Sequence, residues 1–248
     1  MLRLRVQAFH LPKEGNRLEE YEDAWACDAA VGRLAVADGA SDAFESRLWA
    51  RTLVQSFVRE PPSPEELMRW LESRIAEWKA GIDWARLPWY AAEKARRGAF
   101  ATLLGVAFGQ SLRDVTEKAS SCGHWWALAV GDACLFQVRD NEVIVRFPLQ
   151  QAADFSTTPP LLSTQPDYNL RSLEALRVCM GECRPGDLFI LATDALAAWF
   201  LGELEAGNHP WGRWKELTSQ QFHWLVRTLR RRGKMRNDDV TLLLGWTE

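Results

Sequence analysis

The sequence predicts an α+β protein in which strands stack as sheets and helices lie against them. Three observations carry that expectation. Short apolar runs rich in Val, Leu, Ile and Phe recur along the chain in two groups, as buried strands do. Segments with apolar residues at helical spacing separate and follow them. Several of the runs also meet a carboxylate at one end: Asp38-Gly39 after RLAVA, Gly131-Asp132 after WALAV, Thr193-Asp194 after DLFILA, and Asp238-Asp239 before VTLLLGW. A carboxylate at the tip of a buried strand is either solvated or held near positive charge, because an unpaired buried charge is very costly.

Strand signals fall near residues 3–9, 24–28, 32–37, 102–108, 124–131, 133–138, 142–147, 175–181, 187–193 and 240–246. Residues 43–59 and 88–98 read as helices. Between these two, Ser63-Pro64-Glu65-Glu66 combines an N-cap, a proline at the first helical position and a capping-box glutamate. Leu67, Leu71, Ile75 and Trp78 follow at helical spacing. Phe222, Leu225, Val226 and Leu229 mark a further helix that Gly233 would end. Residues 155–169, FSTTPPLLSTQPDYN, read as a loop because prolines and polar residues interrupt any period.

At 248 residues and 47% hydrophobic content, one large domain spanning 1–248 with an ample core is expected. The net charge of -3 gives no general pull toward nucleic acid or an anionic membrane. No stretch approaches a signal peptide or the ~20 apolar residues of a membrane span, so a soluble, cytoplasmic protein is expected. The cysteine count of 5 is odd and includes no CxxC, which points to reduced thiols, with Cys179 and Cys183 buried in a strand. Of the 13 tryptophans, Trp25, Trp70 and Trp78 fall on core positions, whereas Trp125-Trp126 and Trp211 with Trp214 are candidates for a peptide groove. The 4 histidines show no ligand spacing. The basic run RRRGKMR, residues 230–236, suits a helix C-terminus, and its place before Asp238 also suits attraction of a phosphorylated substrate.

The acidic tips offer oxygen donors only. Hard divalent cations take carboxylates, carbonyls and water, whereas zinc prefers His or Cys, so the chemistry points to Mg²⁺ or Mn²⁺.

In their order and wording the acidic pairs resemble the metal-dependent protein phosphatases, the PPM or type 2C serine/threonine phosphatases, as a compact, bacterial-like member. The segment YEDAWACDAAVGRLAVADGAS is similar to that family's opening, with Glu22-Asp23 ahead of a hairpin that ends in Asp38-Gly39. The strand in GAFATLLGVAF, the Gly-Asp of AVGDA, the Thr-Asp of FILATDA and the Asp-Asp-x-Thr of DDVT follow in the family's order. The resemblance implies a four-layer αββα architecture, a central antiparallel β sandwich flanked by helices. It implies two Mn²⁺ or Mg²⁺ ions: Asp38 bridging both, the Gly39 carbonyl and Glu22 on one, Asp194 and Asp238 on the other. Asp132 would join Asp194 on a weaker third ion, and Asp23 would act behind the ligands or through water. Asp239, at the motif's Asn position, would be a neighbour and not a ligand. The implied activity is hydrolysis of phosphoserine and phosphothreonine in proteins by water activated between the ions, opposing a serine/threonine kinase, in a monomer.

The chain departs from the family at several points. Ala40 follows Asp38-Gly39, so the histidine that some members use to protonate the leaving group is missing. The phosphate-binding arginine would fall on Leu18, leaving Arg17 one position away as the candidate. Ala195 replaces the final glycine of Ser-Asp-Gly, and the span from Phe147 to Asp187 is short for a substrate-flanking flap. Ala40 also excludes the Asp-x-Asp of haloacid-dehalogenase-type phosphohydrolases, and Ala40 with Phe44 excludes an EF-hand loop. The alternative that stays open is a catalytically weak or silent domain of the same family that binds phosphoproteins as a regulator.

Overall fold

The computed structural model describes residues 3–41, 43–109 and 123–248. One five-stranded antiparallel sheet takes β1 (Leu4–Leu11), β7 (Cys134–Arg139), β8 (Glu142–Phe147), β11 (Leu188–Ala192) and β12 (Val240–Thr247) in the order β1-β12-β11-β7-β8. The other takes β2 (Ala24–Asp28), β3 (Arg33–Ala37), β5 (Leu103–Phe108), β6 (Gly123–Val130) and β10 (Arg177–Cys183) in the order β10-β6-β5-β3-β2. A short pair, β4 (Phe100–Ala101) with β9 (Leu162–Ser163), closes one side.

Because successive side chains on a strand point to opposite faces, the long apolar runs serve two cores at once. In β3, Leu34 and Val36 meet Phe189, Leu191 and Leu243 between the sheets, while Ala35 and Ala37 face helices. In β11 and β12, Ile190, Leu242 and Leu244 point to the outer helices. Helices α1 (Ser46–Arg59), α2 (Leu67–Ala80) and α3 (Trp89–Arg97) cover the second sheet, with Trp49, Leu53, Phe57, Leu71 and Trp78 buried. The first sheet is covered by α5 (Asp194–Glu205) and α6 (Ser219–Arg231) through Phe200, Leu201, Phe222 and Val226. The layers are therefore helix, sheet, sheet, helix, as the α+β sandwich expectation holds.

The anticipated strands form within a few residues of their expected bounds. The stretch 155–169 is not all loop: it contains β9, and α4 (Pro166–Glu174) begins inside it. Pro166 supplies a pre-set first helical residue. Asn169, buried, exchanges hydrogen bonds with the Ser163 backbone at 2.8 Å each way, so polar residues here fold onto one another. Helix α5 is absent from the sequence expectation because its segment, DALAAWFLGELE, is apolar almost all round and shows no period.

The tryptophans divide differently than expected. Trp125, Trp126, Trp211 and Trp214 are buried in the cores, although an edge of Trp211 also lines a cleft beside Asn141 and Trp246. Trp125 points between the sheets, where its indole N–H donates to Gln137 at 3.1 Å. Trp211 and Trp214 pack on Phe200 at 5.6 Å. Trp70 and Trp78 are buried as expected, but Trp25 is exposed, because β2 is the outermost strand of its sheet. Cys27, Cys134, Cys179 and Cys183 form no disulfide among the described residues; Cys183 is buried and Cys179 half-buried, and Cys122 lies outside the described residues. No helix among the described residues is long and apolar enough to cross a membrane.

Candidate metal centre

The tips of β3, β6 and β11 and the start of β12 converge at one end of the sandwich. Asp38 follows β3, and its backbone is locked to Thr102: the Asp38 N–H donates to the Thr102 hydroxyl at 2.9 Å, and the Thr102 N–H to the Asp38 carbonyl at 2.8 Å. Gly39 allows a close crossing, since a Cβ there would lie 2.7 Å from the Glu22 carbonyl and 3.0 Å from that of Ser46. Any side chain at 39 would push the segment that carries Glu22 away. Asp132 sits in the β6–β7 turn after Gly131, whose φ of +108° favours glycine. Asp194 opens α5, where the helix dipole and the Ala195 N–H favour its negative charge.

A ligand oxygen from each of Asp38, Asp132 and Asp194 lies within 4.8 Å of the others. Asp132 and Asp194 are buried and Asp38 half-buried. Burial first, then the charges of Asp238 and Asp132, push Asp38 up to about 7. Burial also raises Asp132, against the relief given by its own backbone and by Arg236. One carboxylate oxygen of Asp132 is buried with no hydrogen-bond partner.

Asp23 stands behind this group. Its Oδ2 accepts the Thr193 hydroxyl at 2.8 Å and the Thr241 hydroxyl at 2.7 Å, while its Oδ1 is buried without a partner. Burial, followed by the charge of Asp38, holds its carboxyl well above the usual range. Tyr21 shares the hydroxyl of Thr241, so β11, β12 and the segment before β2 are pinned at one point.

Asp239 has a structural job: it accepts the Lys13 N–H at 2.8 Å and the Glu22 N–H at 2.7 Å. Glu22 is half-buried, raised by burial, and 3.9 Å from the Lys13 ammonium. Among the described residues, the three-carboxylate group includes neither Glu22 nor Asp238. Asp238 is joined to the group through Arg236, whose guanidinium pairs with Asp194 and lies 3.5 Å from Asp238.

Arg236 is the residue that motif reading misses. Arg17 is exposed at the start of a 3₁₀ turn, its backbone N–H on the Glu20 carboxylate at 2.8 Å, while the guanidinium that meets the acids belongs to Arg236. The signal lay in RRRGKMR, whose final residue stands two before Asp238.

Several solved structures to which the chain is similar over its length are phosphatases. The photosystem II phosphatase PBCP matches with a TM-score of 0.61 at 15% identity, covering 99% of this chain and 99% of that one. The fold is that of the PPM, or type 2C, phosphatases. The catalytic domain of the serine/threonine phosphatase PstP, solved with 2 manganese ions, matches with a TM-score of 0.57 at 16% identity, over 100% of this chain and 99% of that one. RsbX, solved with magnesium, matches with a TM-score of 0.52 at 19% identity, over 99% and 96%. No family model matches the sequence, and no curated protein matches it. The PPM likeness is thus carried by the sandwich and by short motifs at strand tips.

Proposed function

We propose that this chain, as one unit spanning 1–248, is a Mn²⁺- or Mg²⁺-dependent phosphatase of phosphoserine and phosphothreonine in proteins. The observation that carries this reading is the gathering of Asp38, Asp132 and Asp194 within 4.8 Å at the strand tips of a PPM fold. The donors fit the metal. They are oxygens only, they repel one another when ionised, and one buried oxygen each of Asp132 and Asp23 has no hydrogen-bond partner. The residues that would hold two ions are Asp38, the Gly39 carbonyl, Glu22, Asp194 and Asp238, with Asp132 and Asp194 on a weaker third. When bound, such ions neutralise charge on the phosphoryl oxygens and lower the pKa of water to near neutrality.

The chain's own groups set the geometry. Thr102 fixes the Asp38 backbone, Thr193 and Thr241 fix Asp23, and Asp239 fixes the Glu22 and Lys13 backbones. Arg236, placed at the mouth of the acidic group, is a better candidate than Arg17 for meeting a substrate phosphate. Ala40 supplies no proton to the leaving group, so solvent must do so. The partner is a phosphorylated protein, opposite a serine/threonine kinase, and we infer a monomeric, cytoplasmic enzyme.

One observation favours a second reading. The Arg236 guanidinium already neutralises Asp194 and Asp238, as it would in a catalytically weak or silent module that binds phosphoproteins. Purified protein assayed on phosphothreonine peptides with Mn²⁺ and with excess chelator separates the two. Turnover that requires Mn²⁺ is expected; none at any metal concentration assigns the regulatory role.

A further inference from the structure

A cleft of about 920 Å³ lies between α6 and the loop after β1, on the far side of Lys13 from the acidic group. Helix α6 buries Phe222, Val226 and Leu229 on the first sheet. Its outer face carries Trp224, Arg227 and Arg231, spaced so that they share one stripe. All three line the cleft, and Trp224 is 65% exposed.

Among the described residues no carboxylate forms an ion pair with Arg227, Arg230 or Arg231. Arg230 donates to two neutral carbonyls, of Pro12 at 2.9 Å and of Asp238. Burial lowers its pKa, and Arg227 adds like-charge repulsion against the attraction of Asp239, Glu14 and Asp238. On the lining itself the one acid is Glu14. The opposite wall is fixed: the Glu14 N–H donates to Asn237 at 2.7 Å, and Asn237 donates back to the Glu14 carbonyl at 3.2 Å. A net charge of -3 over the chain makes this stripe a local, oriented positive surface and not part of a general one.

The cleft and the candidate metal centre share a wall. Lys13 lines the cleft with its backbone loop and sends its ammonium to Ser41 at 3.0 Å, beside Gly39 and Ala40. Arg230 reaches the Asp238 carbonyl from the cleft side. The cleft is thereby joined to the acidic tips through Lys13 and Arg230. Exposed Trp and Arg are the residues that most often anchor protein partners.

We propose that this cleft docks acidic residues flanking the phosphorylated residue of the protein substrate. The proposal deepens the phosphatase reading and rests on it. The test compares three phosphothreonine peptides in Mn²⁺: one plain, and two carrying a hexaglutamate tail on the amino or the carboxyl side. A kcat/KM at least about fivefold higher on one tailed peptide, expressed in KM and reduced by salt, is expected. In Arg227→Glu/Arg231→Glu that tailed-to-plain ratio should fall to one or below. Equal rates on all peptides in the unaltered protein, or a ratio kept in the double variant, would overturn the proposal. If no peptide is turned over, the phosphatase reading fails on its own, and binding decides the cleft. Titration with an unphosphorylated hexaglutamate peptide should then change the fluorescence lost in Trp224→Phe. The absence of a saturable change, or tighter binding of a single-stranded oligonucleotide, would overturn it.

Discussion

Arg236 and Asp194 form an ion pair inside the acidic group, and the same guanidinium lies 3.5 Å from Asp238. Its side chain is 47% exposed, so the positive charge enters from solvent and is not walled in. A cation held there competes with any metal for the same two carboxylates. Removing it should expose their full charge.

Arg236→Ala should therefore bind Mn²⁺ about threefold to tenfold more tightly, since an accessible pair of this kind contributes roughly 1 kcal/mol. Calorimetric titration of the purified variant reads this directly. Unchanged or weaker affinity would mean that Arg236 does not compete for the ligands.

Asp38→Asn and Asp238→Asn should each lower kcat on a phosphothreonine peptide by at least about 10²-fold, because each removes charge from a site whose geometry depends on it. Circular dichroism should show the fold retained. Near-normal turnover in either variant would place the ligands elsewhere.

Metal should stabilise the protein, and more so at higher pH. Asp38 titrates at about 7 in the fold against ~3.9 in an unfolded chain, so the folded state holds that proton more tightly. Its contribution to stability is complete below the unfolded value and is lost as pH rises through about 7. Bound cations relieve this repulsion, and at 100 times Kd each adds about 2.7 kcal/mol if it binds only the folded state. The melting temperature in chelator should fall between about pH 5 and pH 8, while that in millimolar Mn²⁺ should fall less. A gap that stays constant across this range would contradict the raised Asp38.

Thr241→Val should lower stability by about 1–3 kcal/mol, because it deletes a buried donor to the Asp23 carboxylate and a partner of Tyr21. The loss should be smaller in acid, where a carboxyl raised by burial takes up a proton more readily and depends less on a donor. Chemical denaturation at pH 5 and pH 8 measures both quantities, and equal losses would show that the hydroxyl does not serve the charged form.

Much of this site was legible in one dimension. Runs such as RLAVA and VTLLLGW read as strands buried on both faces, so the carboxylates at their tips stand out in the sequence. Other parts needed a neighbour. Trp125 and Trp126 look alike as a pair, yet alternate to opposite sides of β6 and serve different cores. Helix α5 left no period because both its sheet-facing and flanking positions are apolar. Asp239 is set apart from Asp238 by burial and by the Lys13 and Glu22 amides that come to meet it, while Asp238 faces Arg236.

The sequence by itself determined the strands, most of the helices and the positions of the acids, because hydrophobic period and turn chemistry act over a few residues. Tertiary structure alone decided which charges meet. The three carboxylates come from three separate strand ends, Arg236 reaches Asp194 from the turn before β12, and Thr193 and Thr241 converge on Asp23 from two strands. Electrostatic interaction depends on distance and burial, and both are set by how the two sheets and their loops pack, which no local pattern encodes.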